Sequence, residues 1–331
     1  MPELSLRFDL RDAGGGPPLA DVYREAVAMA AHADGQLGVD RVQVSEHHAC
    51  DDGYCPSPLV LAAGLAGATE RCRILVAATI LPLHDPARLA EDVAVADLVS
   101  GGRLDVILVA GYRPVEFAMF GRDFDDRPAA MERGAEALVR AWSGEPFTHE
   151  GRTVRVTPRP AQRPHPPLLL GGTNPAAARR AARLGDGFMP GLPDPALLAA
   201  YESERARLGK DRGRVIDPAA PMGVLVVEDP ERGWAEAGPH LLHEARTYGQ
   251  WENERPGANP YPLVDDPATL REHGVFAVVT PDECVALWES LPDEAALLLH
   301  PLVGGLDPAV GWRSLELFAS KVLPRLGRPA P

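Results

Sequence analysis

The apolar residues of this chain fall into short runs of strand period separated by longer stretches of helical period. Strand-type runs occupy Leu4–Leu10, Val42–Val44, Arg73–Leu81, Leu104–Gly111, Leu168–Gly172, Gly187–Gly191, Met222–Val227 and Ala295–Val303. Helices are predicted from about Leu19 to Gln36, after Ser57-Pro58, from Pro86 to Val99, from Arg127 to Trp142, from Asn174-Pro175 through Arg183, from Asp194-Pro195 and from Thr280-Pro281. Trp312, Leu315, Leu317, Phe318 and Val322 give a closing helix its buried face. About eight strands, each usually followed by a helix, predict a closed (β/α)8 TIM barrel rather than an open doubly wound sheet. No GxGxxG fingerprint follows the first strand, which weakens the open-sheet dinucleotide alternative.

Two stretches break the rhythm. Residues 145–167 hold two short strands about Glu150-Gly151 and then a proline-rich run, Pro158 to Pro167, unsuited to helix or central strand. Residues 230–275 scatter Trp234, Tyr248, Trp251 and Tyr261 among His, Glu, Pro and Asn, and read as an irregular segment that is either a lid or a surface excursion. Both are read as insertions in a single domain covering 1–331.

The chemistry is expected at strand tips. Val42 to Val44 ends abruptly in Ser45-Glu46-His47-His48, which is either an inert loop or a site. In a barrel the carboxyl ends of the strands share one face, which would gather Glu46, His47, His48, His84, Tyr112, Arg113 and Gly171 to Asn174. Gly171-Gly172-Thr173-Asn174-Pro175 runs from a strand into a helix start and is either a tight turn or a place where a phosphate meets backbone N–H groups. A metal-dependent hydrolase on His47, His48, His84 and Asp85 is a distant alternative, because adjacent residues on a strand tip point apart; no metal is expected.

Composition narrows the partners. Hydrophobic residues make 45% of the 331 and charged ones 24%, ordinary for a globular protein with a large core. The net charge of −14 argues against nucleic acid and anionic membrane surfaces as main partners. No apolar run approaches the ~20 residues that span a bilayer. The start lacks the regions of a signal peptide, so a cytoplasmic location is expected. Cys50, Cys55, Cys72 and Cys284 have neither metal-type spacing nor the look of a disulfide framework.

Taken together, these motifs resemble the bacterial luciferase-like flavin-dependent oxidoreductases. The likeness rests on Ser45 to His48, Ala77 to Pro82, Arg88 to Asp92, Asp97 to Leu104, Gly121, Gln162 to Pro167 and Gly171-Gly172, in family order. It implies a (β/α)8 barrel with reduced FMN lying across the strand tips. His47 would orient or deprotonate an intermediate, Glu46 would hold that imidazole in one tautomer or simply satisfy nearby backbone donors, and His48 would be a partner. Ala77-Ala78 matches a pair that often carries a cis peptide against the flavin ring. Ala110 stands where many relatives place an arginine that contacts the FMN phosphate, so Arg113 or the backbone at Gly111 and Gly171 to Thr173 would have to serve. Tyr112 and Trp251 are the expected substrate contacts. The resemblance thus implies a monooxygenase using reduced FMN and oxygen on a small organic substrate, with a separate flavin reductase and a homodimer. Deazaflavin hydride transfer with coenzyme F-420 and a catalytically silent flavin-binding barrel are the alternatives.

Overall fold

The computed structural model describes residues 1–216, 221–254, 256 and 260–328. The chain opens with β1 (Glu3–Arg7), α1 (Leu19–His32), β2 (Arg41–Val44), α2 (Pro58–Ala68), β3 (Arg73–Ile80), α3 (Pro86–Ser100) and β4 (Leu104–Val109). Next come α4 (Pro114–Met119), α5 (Arg127–Trp142), the hairpin β5 (Phe147–His149) and β6 (Arg152–Val154), β7 (Leu169–Gly172), α6 (Pro175–Leu184) and β8 (Gly187–Pro190). The last part holds α7 (Pro195–Arg207), β9 (Arg214–Val215), β10 (Gly223–Val226), α8 (Pro230–Glu254), α9 (Pro267–His273), β11 (Phe276–Val279), α10 (Pro281–Ser290), β12 (Ala296–Leu299) and α11 (Pro308–Leu317).

Ten strands form one sheet in the order β11-β10-β12-β1-β2-β3-β4-β7-β8-β9, and every pairing in it is parallel. The sheet curls on itself. Arg214 of β9 crosses to Asp105 of β4 at 2.8 Å, and the same buried carboxylate takes Arg73 of β3 at 2.6 Å. Above that polar layer, Leu75, Ile107, Leu169 and Ile216 make an apolar cluster of their own inside the curl. The helices cover the outer face, where the main core lies. The fold is therefore of the TIM-barrel type. Among the described residues no pairing joins β9 to β11, and residues 217–220, which follow β9, lie outside the description.

Three sequence expectations need correction. The sheet has two strands, β9 and β11, beyond the eight expected; β9 is only two residues long and β11 follows immediately on Gly274 and Val275. The loop expected after β4 contains the short helix α4, which begins at Pro114. Most of 230–275 is helical, although 255 and 257–259 of that segment lie outside the described residues. In α8 the buried residues Trp234, Ala237, Leu241, Ala245, Tyr248 and Trp251 recur every three or four positions, so one face of the helix joins the core. Its glycines look like breakers but serve close packing: a Cβ on Gly233 would come 2.7 Å from Val278 Cγ1, and one on Gly249 2.8 Å from Leu263 Cα. Packing overrides propensity here. Thr280 and Glu283 form the expected capping box, whereas Ser57 occupies its cap position without a side-chain bond.

No helix among the described residues is long and apolar enough to cross a membrane. At the junction of β7 and α6 a Cβ on Gly172 would sit 2.3 Å from Ala177 Cβ. Gly172→Ala should therefore cost about 1–3 kcal/mol by overpacking, read as a lower urea midpoint with an unchanged slope.

Candidate active site

Beyond β2 the chain carries four buried polar residues, Ser45, Glu46, His47 and His48, into the end of the curl. Successive side chains on extended backbone point to opposite sides, and each finds its own partner. Ser45 Oγ donates to the carbonyl of Ala77 at 2.6 Å. Glu46 Oε1 accepts from His48 Nε2 at 2.7 Å and His84 Nε2 at 2.9 Å, while Oε2 accepts from the N–H of Ile80 at 3.1 Å. Burial alone would raise the pKa of Glu46, but the hydrogen bonds from the two imidazoles outweigh it and hold the carboxyl down at about 2.

His47 faces the other way. Its Nδ1 lies 3.2 Å from Glu116 Oε1 on α4, an oxygen that also accepts the N–H of His48 at 3.1 Å and Arg113 Nη1 at 3.3 Å. Burial opposes ionisation of Glu116, yet the His47 hydrogen bond and its other donors keep its pKa lowered. An ionised carboxylate can only accept, so Nδ1 carries the proton and Nε2 keeps its lone pair. Burial, with the charges of Arg11 and Arg113, lowers the pKa of His47 against the pull of Glu116. The result is a neutral imidazole in a fixed tautomer. Of the two expectations for Glu46, it does not hold His47 but does satisfy a backbone donor, the N–H of Ile80; Glu116 holds His47, because residues 46 and 47 lie on opposite sides of the chain.

Four rings surround His47. Their centroids lie at 4.6 Å (Trp251), 5.0 Å (Tyr54), 5.5 Å (Tyr248) and 6.1 Å (Tyr112). Arg113 stacks 4.1 Å over Trp251 and donates to the carbonyl of His48 at 2.7 Å; Arg11 stacks 4.1 Å over Tyr54. Further in, Arg7 pairs with Glu244 at 2.7 Å, Arg11 with Asp9 at 3.0 Å, and His300 Nε2 with Glu244 at 3.0 Å. Asp9, Glu244 and His300 present ligand atoms within 4.8 Å of one another, but the two guanidiniums already face both carboxylates. His47, His48, His84 and Asp85 form no such group among the described residues. Asp85 instead caps α3 and pairs with Arg152.

Along the rim, Ala77-Ala78 is a cis peptide. Ala77, Ala78, Ala110, Gly111, Gly171, Gly172 and Thr173 are half-buried at the strand ends, a strip of small residues, and Tyr112 beside them is half-buried too. Gly111 has φ +75, and a Cβ there would meet Ile80 Cγ2 at 2.7 Å, so local geometry alone demands glycine. Asn174 caps α6 by accepting from the N–H of Ala177. The structure thus brings His47, Tyr112, Arg113 and Trp251 into one cluster, places Glu46, His48 and His84 on its flank, and sets Gly171 to Thr173 across β4 from Ala77-Ala78. Arg113, expected toward a phosphate, makes its contacts with His48, Cys50, Glu116 and Trp251.

Sequence reasoning missed Glu116, Arg11, Tyr54 and Tyr248. For Glu116 a signal existed: Arg113-Pro114-Val115-Glu116 is a proline-started helical turn that places a carboxylate three residues after an arginine at a strand tip.

The sequence profile of the luciferase-like monooxygenases matches residues 5–291. The chain belongs to that family. Two uncharacterized proteins of Sinorhizobium fredii, y4vJ and y4wF, are 32% identical over 171 residues and 31% identical over 183. These alignments cover 50% and 54% of this chain and 48% and 53% of those proteins, so the chain spans about half the length of the curated relatives it matches. Among solved structures, monooxygenase RslO1 from Streptomyces bottropensis is 25% identical with a TM-score of 0.76, over 97% of this chain and 99% of that one. The oxygenating constituent of 3,6-diketocamphane monooxygenase from Pseudomonas putida, in complex with FMN, is 21% identical with a TM-score of 0.74 over the whole of both chains. An F-420-dependent secondary alcohol dehydrogenase is 18% identical with a TM-score of 0.69, over 99% of this chain and 100% of that one. The last two likenesses speak for the fold.

Glu46 provides a pH test. Its folded pKa of about 2 lies below the ordinary 4.5, so its ionised form stabilises the fold above pH 4.5, and that contribution is lost as pH falls toward 2. Across this window the stability of Glu46→Gln should fall less steeply than that of the wild type in acid-unfolding titrations.

Proposed function

We propose that the protein is a flavin-dependent monooxygenase, in which reduced FMN and molecular oxygen act on a small organic substrate. The observation that carries this reading is His47, its Nδ1–H held by Glu116, on a segment that Ser45 ties to the half-buried strip at Ala77-Ala78. The residues present fit a flavin: small side chains at Ala77, Ala78, Ala110 and Gly111 leave room for a flat ring, and the half-buried backbone at Gly171, Gly172 and Thr173 would meet its phosphate. Bound there in its reduced form, the flavin supplies the electrons for activating oxygen.

The protein's own groups do the rest. His47 Nε2 accepts a proton at the mouth of the curl, and Glu116 stabilises the imidazolium that results. Glu46, with His48 and His84, holds the loop carrying His47 against the end of β3 through the Ile80 N–H. Before substrate enters, the ring of Trp251 and its neighbours keeps water from the base. Tyr112, Trp251 and Arg113 mark the side of His47 on which the substrate binds.

Ala110 favours a second reading, hydride transfer with coenzyme F-420, since it offers no charge-assisted contact to an FMN phosphate. The four free cysteines fit a cytoplasmic protein. A homodimer is proposed through α2 and α3, where Val60, Val95, Leu98 and Val99 are exposed; a separate reductase would supply reduced flavin.

Titration with reduced FMN and with reduced coenzyme F-420 should give saturable binding of FMN, and turnover should require oxygen; product formed anaerobically would overturn the monooxygenase reading. His47→Ala should lower kcat by about 10²- to 10⁴-fold with FMN affinity preserved. Because the pKa of His47 is lowered, kcat/KM should hold as pH drops through 6.5 and fall only below it, with the limb displaced to still lower pH in Glu116→Gln.

A further inference from the structure

The cage around His47 is made by the protein itself, and Trp251 is a member of it held by ring contacts alone. Tyr54 and Tyr248 hydroxyls bond each other at 3.1 Å, and Tyr248 stacks on Tyr261 at 4.5 Å. Trp251, on the last turn of α8, makes no hydrogen bond among the described residues, and its ties are ring contacts with His47 at 4.6 Å, Tyr248 at 5.0 Å and the guanidinium of Arg113 at 4.1 Å. The indole is the ring nearest to His47. The two guanidiniums beside it carry buried hydrogen-bond donors with no partner, Arg11 Nη2 and Arg113 Nε. Arg11 is fully buried, with its guanidinium 5.8 Å from the Trp251 ring. A buried donor left unmade is costly, and two of them beside one aromatic slot call for an acceptor that the indole, a donor only, does not supply.

We propose that Trp251 is a displaceable stand-in for the substrate, and that the substrate is a flat aromatic ring bearing an acceptor oxygen. The ring replaces the indole against Arg113 and His47, where cation–π stacking on guanidinium favours aromatic over saturated rings. Its oxygen accepts from Arg113 Nε and Arg11 Nη2, which sets the ring's orientation before His47. This rests on the proposed monooxygenase reading for its biological sense, but the binding it describes is measured without flavin or turnover, so either can fail alone.

The test is calorimetric titration of the flavin-free full chain with 2-naphthol, 1,4-naphthoquinone, naphthalene and decanal. Both oxygenated rings should bind at least about tenfold tighter than naphthalene or decanal, the discrimination expected of roughly one buried hydrogen bond to a charged group. Trp251→Ala should tighten 2-naphthol binding severalfold and keep its lead over naphthalene, since the slot is vacated and the donors remain. In Arg113→Lys, which keeps the charge but removes Nε, the lead should shrink to about threefold or less. Equal binding of naphthalene and 2-naphthol by the wild type and by Trp251→Ala would overturn the proposal, as would weaker 2-naphthol binding in Trp251→Ala, which would make the indole a wall rather than a stand-in. Arg11 is kept out of the test because its pairing with Asp9 and Asp52 ties it to the fold.

Discussion

A single carboxylate oxygen, Glu116 Oε1, fixes the geometry on which the site depends. It accepts from the ring of His47, the backbone of His48 and the guanidinium of Arg113 at once. Those three donors come from the tip of β2 and from the turn after β4, so the one atom ties two strand ends together and sets which nitrogen of His47 is free. A charge-accepting hydrogen bond in a buried site is worth more than the same bond in water. Its partner oxygen, Oε2, is buried without a hydrogen bond, which leaves the carboxylate capacity to take up more positive charge when His47 is protonated.

Beneath this sits a buried ionic layer. Arg7, Asp9, Arg11, Glu244 and His300 are all buried, and removing one partner would leave an uncompensated charge. Glu244 and Tyr261 belong to the region that the sequence presented as irregular, so α8 and the segment after it are built into the mouth of the curl rather than laid over it. The 2.6 Å bond from Tyr261 to Glu244 and the 2.8 Å bond from Arg7 to Tyr261 close that seam.

Local patterning carried the barrel half of the sequence reading. The continuous apolar runs of β3 and β4 and the amphipathic α5 appear where their periodicity placed them, because strands buried on both faces and helices buried on one leave distinct imprints. The helix α8 left its imprint too, in Trp234, Ala237, Leu241 and Ala245, but four punctuating residues, Gly233, Gly238, Pro239 and Gly249, masked it. Side-chain partnerships were the illegible part. Glu116 stands 69 residues from His47, and His243 stands 191 from Asp52, distances at which no spacing rule operates. The motif Glu46-His47-His48 marked a buried polar cluster while suggesting the wrong pairing, since adjacency in sequence on an extended chain means opposite directions in space.

The central claim is that His47 is a neutral base held with its proton on Nδ1. Nitrogen-15 NMR of the imidazole side chains, assigned by comparison with His47→Ala, tests it directly. The account predicts that at pH 6.5, near the ordinary histidine pKa, His47 shows a protonated Nδ1 and an unprotonated Nε2, and that imidazolium appears only at lower pH. An imidazolium already dominant at pH 6.5, or a proton on Nε2 in the neutral form, would contradict it.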